Sequence, residues 1–147
     1  MEFMYGAAAP FLIKYLELIC EKVEREQIHI HYDDNLEAAY FDEEMLDKYD
    51  ALFAQALDAV KGDALRLWRV EKARLSIRWV RLKRKAMFGN EYDPQEIEDF
   101  TRDWRAFGMT RIDEWYNLET THRALIDGHW RARVYFDHWT GEEPEII

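Results

Sequence analysis

One cysteine, three prolines and six glycines in 147 residues leave few ways to staple, break or bend this chain. Cys20 alone cannot form an internal disulfide, so cysteine usage calls for no oxidising compartment. Within the string LELICEKV it is expected as a small buried thiol on an amphipathic helix. Basic charge is also short: 20 Lys and Arg stand against 30 Asp and Glu, a formal net charge of −10, which repels phosphate backbones and anionic lipid headgroups. Nucleic acid is therefore not an expected partner, and the one basic stretch, Arg66 to Lys85, alternates with Leu, Ile, Trp and Val instead of forming a solvated patch. Long apolar runs are missing as well. Lys14 and Glu17 interrupt the best of them, and no basic segment leads into an apolar one at the N-terminus, so neither a signal peptide nor a membrane span or membrane partner is expected. The cytoplasm is the default location. Finally, the chain is well short of the roughly 250 residues of a complete (β/α)₈ barrel.

What is present is patterned for packing. Hydrophobic residues make up 48% and charged residues 34%, enough apolar surface to offset the entropy of ordering one domain. The sequence predicts an all-α fold: a bundle of four to five helices in a single domain over 1–147, with a long central helix and an irregular C-terminal tail. The first helix is expected from Pro10 to Glu26, with Leu12, Leu16, Ile19, Cys20 and Val23 on its core face. QIHIHYDD then reads as a short extended segment and a connector to Tyr40. Asp42 is placed to cap a second helix bearing Met45, Leu46, Tyr49, Leu52, Phe53, Ala56, Leu57 and Val60, which Gly62 stops. Asp63 then caps a third at once, so the two form a tight antiparallel hairpin.

The third helix, Ala64 to Phe88, carries two apolar rows: Trp68, Leu75, Trp79, Leu82 and Ala86 in one, and Leu67, Val70, Ile77, Val80 and Met87 in the other. Apolar rows over so much of the circumference place it at the centre, packed on more than one side. The stretch RVEKARLSIRWVRLK within it also concentrates ionisable groups. Glu71, three residues before Arg74, is expected to pair with it along the helix. DPQE, Asp93 to Glu96, announces a fourth helix with Asp93 as cap, Pro94 in the first turn and Glu96 reaching back as in a capping box; Ile97, Phe100, Trp104 and Phe107 form its inner face up to Gly108. Met109 to Asn117 reads as an ordered segment docked on the bundle, followed by a short helix around Thr121 to Ile126.

Chemistry is harder to find. Glycosidase work needs two carboxyl groups flanking a sugar, but Glu43, Glu44, Asp58, Glu142 and Glu143 fall on expected solvent faces or in the tail. No catalytic residue and no cofactor is assigned. His29 and His31 share a side of an extended segment, with Asp33 and Asp34 near enough to complete a chemically reasonable metal shell, but no third ligand motif accompanies the histidines and no metal site is assigned. Of the six tryptophans, Trp68, Trp79 and Trp104 fall on expected core faces. Trp115, Trp130 and Trp139 lie outside strong helices and are the candidate surface or partner contacts.

Taken in order, YGAAAPFLIKYLELICEKVE, RVEKARLSIRWVRLK and FGMTRIDEW resemble the C-terminal helical region of the bacterial family called domain of unknown function 4838. Proteins of that family resemble glycoside hydrolases, with a barrel followed by helices much as in α-glucuronidases. The resemblance extends to about Leu118. It implies that Tyr5 to Pro10 belong to the helix leaving the barrel, so that the chain would be part of a larger protein. Its function would be that of an accessory helical domain packed on an upstream barrel and not catalytic by itself. The alternative is an independent helical interaction or dimerisation domain, with a second copy of the chain as partner.

Overall fold

The computed structural model describes residues 1–29, 38–88, 93–112 and 117–127. Helix α1 covers Glu2–Tyr5, α2 Ala9–Glu26, α3 Glu43–Ala59, α4 Ala64–Phe88, α5 Pro94–Ala106 and α6 Leu118–Ile126, with short 3₁₀ turns at Gly6–Ala8 and Ala39–Phe41. The fold is all-α, a bundle in which α4 is the long central helix. Among the described residues the only extended pairing is a single antiparallel bridge between Arg111 and Asn117. The expected C-terminal tail lies outside the described residues.

Helix starts follow the sequence closely because they are local. The Asp42 carboxylate accepts from the Met45 amide at 2.8 Å, Asp63 accepts from the Arg66 amide at 3.0 Å, and Asp93 accepts from the Gln95 amide at 2.9 Å. Each satisfies a donor that the first helical turn leaves orphaned. Glu96 does not reach back as a capping box; its carboxylate meets Lys85 Nζ at 2.6 Å, because α4 runs beside the start of α5. Asn117 starts α6 earlier than expected by accepting from the Thr120 amide at 2.9 Å.

The N-terminus differs more. Helical structure begins at Glu2, ahead of Pro10, and bends at Gly6, whose φ of 52° is costly for a residue with a Cβ. A Cβ there would also lie 2.5 Å from Arg66 Nε. Arg66, paired with Asp63, and Arg69, which donates to the Met4 carbonyl at 2.9 Å, pin this bend to the first turns of α4. Ala8 and Ala9 are fully buried, so the small residues of YGAAAP let the backbone approach α3 and α4 closely. The motif is thus accounted for by packing.

Two cores flank α4. The first joins Leu12 of α2, Met45, Leu46, Tyr49, Phe53 and Ala56 of α3, and Val70, Ile77 and Val80 of α4. Tyr49 is wholly buried; its hydroxyl donates to the Tyr40 carbonyl at 2.8 Å, which offsets the cost of burying it, and burial pushes its phenol pKa far up. The second core joins Leu75, Leu82 and Ala86 of α4, Ile97, Phe100 and Trp104 of α5, and Leu118 and Leu125 of α6, with Met109 and Ile112 packed against it. The two rows of α4 therefore serve two separate cores, as their spacing predicts.

Three expectations about individual side chains are corrected. Leu16 and Cys20 are exposed, because α2 lies on α3 through Leu12, Tyr15, Leu18 and Ile19, which turns the Leu16 and Cys20 stripe outward. Trp68 is 43% exposed, since α5 ends opposite it with Phe107, whose ring centroid is 5.5 Å away. Lys83, in contrast, is 7% exposed, its ammonium 5.5 Å from the centroid of the Trp79 ring. Within Glu2–Glu26 one window of 18 residues reaches a mean hydropathy of 1.3, so by length and composition alone the stretch could cross a membrane, despite Lys14 and Glu17. In the fold its inner face is used on α3.

Candidate functional site

Helix α4 has a third side, between α3 and α5, which three ionisable groups of RVEKARLSIRWVRLK share: Glu71, Arg74 and Arg78. Trp68, Glu71, Arg74 and Arg78 form the floor of a cleft of about 630 Å³, Asp50 and Leu57 of α3 one wall, and Glu96, Asp103, Ala106 and Phe107 at α5 the other. Positions 68, 71, 74 and 78 recur every three or four residues, so the floor is one stripe of the helix. The cleft is polar at the Arg78 end and apolar where Leu57, Trp68, Ala106 and Phe107 meet.

Most of its charges are consumed in holding the helices together. Arg74 donates to Asp50 Oδ1 through Nε at 3.1 Å and Nη2 at 2.9 Å. Arg81, one turn beyond the cleft, binds the other oxygen of Asp50 at 2.7 Å and reaches Asp47 at 2.7 Å and Glu43 at 3.2 Å. Burial works against the Arg81 charge, but the Asp47 and Asp50 carboxylates outweigh it and hold the guanidinium above its ordinary pKa. Across the cleft, Arg78 donates to Asp103 at 2.8 Å. Burial alone would raise the Asp103 pKa; Arg78 and Arg102 overcome it and leave the carboxyl below its ordinary value.

The chemistry available is limited accordingly. A general acid at neutral pH needs a carboxyl pKa raised by burial or by a neighbouring carboxylate, and Asp103 is displaced the opposite way. Asp50 and Glu96 are likewise committed to cations. Glu71 is exposed and does not pair with Arg74, correcting the expected contact along the helix: Arg74 has a better partner in Asp50, whose carboxylate α3 holds in place. Among the described residues, Glu71 is the one cleft carboxylate that takes part in no ion pair.

The residues singled out by sequence fall elsewhere. Trp115, Trp130 and Trp139 lie outside the described residues, as do His31, Asp33 and Asp34; His29 is exposed just after α2. Among the described residues no three His, Cys, Asp or Glu side chains converge as metal ligands. Sequence reasoning missed the cleft walls, since Asp50, Asp103 and Phe107 stand on stretches of the chain remote from the floor. The available signal was the polar stripe left over on α4 once its two apolar rows were assigned.

Searches of family models, of curated proteins and of solved structures find no match to this chain. Function therefore has to be read from the cleft over α4 and from the faces that the helices leave uncovered.

Proposed function

We propose that this chain is a non-catalytic helical packing domain whose outer N-terminal face covers another protein module. In the arrangement its resemblance implies, that module is the carbohydrate-active, glycoside-hydrolase-like barrel of the same protein. The observation that carries this reading is the apolar outer face of Glu2–Glu26: Phe3 is 88% exposed, and Met4, Ile13 and Leu16 are each exposed by more than a third. Exposed side chains of this kind on α1 and α2 favour removal from water, Phe3 contributing on the order of 1.5 to 3 kcal/mol when fully covered and the three half-buried ones less. The central ionisable groups support the non-catalytic half of the reading, because they serve as ties between helices.

The test has two arms. The chain alone is assayed against aryl glycosides and uronic-acid substrates, with no turnover expected. The full-length product is then compared with a form lacking the helical part, and loss of barrel solubility or activity is expected. Turnover by the chain alone, abolished by replacing one of its carboxylates, would overturn the reading. The same exposed face favours self-association as the alternative. Sedimentation of the chain and of Leu16→Glu separates the two: a dimer that Leu16→Glu dissolves selects the independent dimerisation domain.

A further inference from the structure

The cleft over α4 has a property that a packing role does not use. Its apolar end exposes Trp68, a large aromatic face that the fold could have buried, beside Phe107 at 5.5 Å between centroids and tilted by 54°. Two rings set at an angle, with Leu57 and Ala106 nearby, form an open-sided apolar corner. Three residues along the same helix stripe stands Glu71, without an ion pair among the described residues. The cleft is acidic in sum, with Asp50, Glu71, Glu96 and Asp103 against Arg74 and Arg78. Because both guanidiniums are occupied by carboxylates, the charge left to meet a newcomer is that of Glu71. The face of Trp68 already attracts a cation: the Lys72 ammonium lies 5.1 Å from the ring centroid. Lys72 is half-buried and lies outside the lining of the cleft, so it shows that this ring attracts a cation without filling the cleft.

We infer that the cleft is a binding site for a small organic cation with an apolar body, its ammonium or guanidinium held between Glu71 and the Trp68 ring and its body against Phe107 and Leu57. Three features fit this class. The volume of about 630 Å³ lies within the few hundred to one thousand Å³ usual for small-ligand sites. A carboxylate combined with an aromatic face is the arrangement that discriminates a cation from a neutral molecule of equal shape. An anionic ligand, conversely, would have to displace Asp50 or Asp103 from its arginine to gain a charge partner. Lys72 is then a like charge beside the site, and its removal should strengthen binding.

The experiment uses protonated 2-phenylethylamine as the probe and 2-phenylethanol, nearly the same shape without the charge, as its control. The shift of the Trp68 indole N–H in two-dimensional NMR is followed, the signal being assigned with Trp68→Phe. A saturable shift is expected for the amine with a Kd of about 1 to 10 mM, as suits so small a ligand, and the alcohol should bind about tenfold more weakly. Glu71→Gln should weaken the amine about three- to tenfold without affecting the alcohol. Lys72→Gln should tighten it about two- to fivefold, whereas Lys48→Gln, which removes the same charge from an exposed site on α3, should leave it unchanged. Equal affinity for amine and alcohol, equal effects of Lys72→Gln and Lys48→Gln, or no saturable shift at Trp68 would each overturn the assignment. Glu71, Lys72 and Lys48 lie outside both cores, and a matching thermal melt verifies that each variant remains folded.

Discussion

On the α3 flank of the central helix, Arg81 is shared among Glu43, Asp47 and Asp50, and Tyr49 gives its hydroxyl to the Tyr40 carbonyl. On the α5 flank Arg78 and Lys85 each meet one acid, Asp103 and Glu96, and the cations also lie over rings. Arg78 lies 5.6 Å from the centroid of Phe100, and Trp79 stacks on that same ring at 6.0 Å and 19°, with Lys83 over Trp79. Trp104 Nε1 and Thr121 Oγ1 are buried there with no hydrogen-bond partner among the described residues. On the first flank, Arg66 Nε and Arg84 Nε stand on the same footing, but both belong to guanidiniums with an acid beside them, Asp63 and Glu43. One helix is thus secured on one side by an arginine shared among three acids and on the other by single ion pairs together with aromatic burial, where two polar atoms find no partner among the described residues. Each such atom costs about 1 to 3 kcal/mol, so the α5 and α6 half should be the first to open.

The largest expected effects test that asymmetry. Phe53→Ala and Phe100→Ala each remove a side chain that is buried to within 1%, and each should cost about 3 to 5 kcal/mol. Amide hydrogen exchange separates them: Phe100→Ala should speed exchange chiefly in α5 and α6, while Phe53→Ala should speed it through α2, α3 and α4 together. Uniform acceleration in both variants would show one cooperative unit and remove the contrast between the two flanks.

Next in size is Asp50, the shared acceptor of two arginines. Asp50→Asn should cost about 2 to 3 kcal/mol, because Arg74 and Arg81 both lose a partly buried charge partner. In a double-mutant cycle with Arg81→Met, the combined loss should fall short of the sum of the single losses by about 0.5 to 2 kcal/mol. Additive losses measured by guanidinium denaturation would show that the network has no energetic coupling.

A smaller effect appears with pH. The Asp103 carboxyl lies below its ordinary value in the folded chain, so the folded state binds a proton there less readily than the unfolded state. The stability it contributes is present above the unfolded aspartate value of about 4 and is lost as pH falls from there through the folded value. Thermal melts of Asp103→Asn should therefore converge on those of the parent protein as pH drops below about 4. A gap that widens on acidification would contradict the Arg78 pairing. The smallest change is Glu71→Gln, which should move stability by less than about 0.5 kcal/mol, since Glu71 is exposed and supports neither flank. A loss near that of Asp50→Asn would reveal that Glu71 shares in the network after all.

Much of the fold was legible in the residues, because its signals are local. Asp42, Asp63 and Asp93 start helices by reaching amides two or three residues ahead, and the two apolar rows of α4 follow from 3.6 residues per turn. Periodicity could not say which of several apolar stripes on α2 would be covered, and so Leu16 and Cys20 were misplaced. Helix phase fixes the angles between side chains but not the direction from which a neighbour arrives. Nor could it foresee that Trp68 would stay open while Lys83 became buried, as both lie on a helix flanked on two sides and the outcome depends on where α5 ends.

The sequence by itself determined an all-α bundle, the position of its central helix and most of its caps, since hydrogen bonds within a turn and the spacing of apolar residues suffice for these. Only the tertiary structure decided the partners of the arginines. Glu71 is three residues from Arg74 and would have met it on an isolated helix. A carboxylate on α3, held in place by a packed core and partly withdrawn from water, gives the guanidinium a stronger and less mobile partner than an exposed neighbour on its own helix, and this leaves Glu71 and Trp68 facing an open cleft.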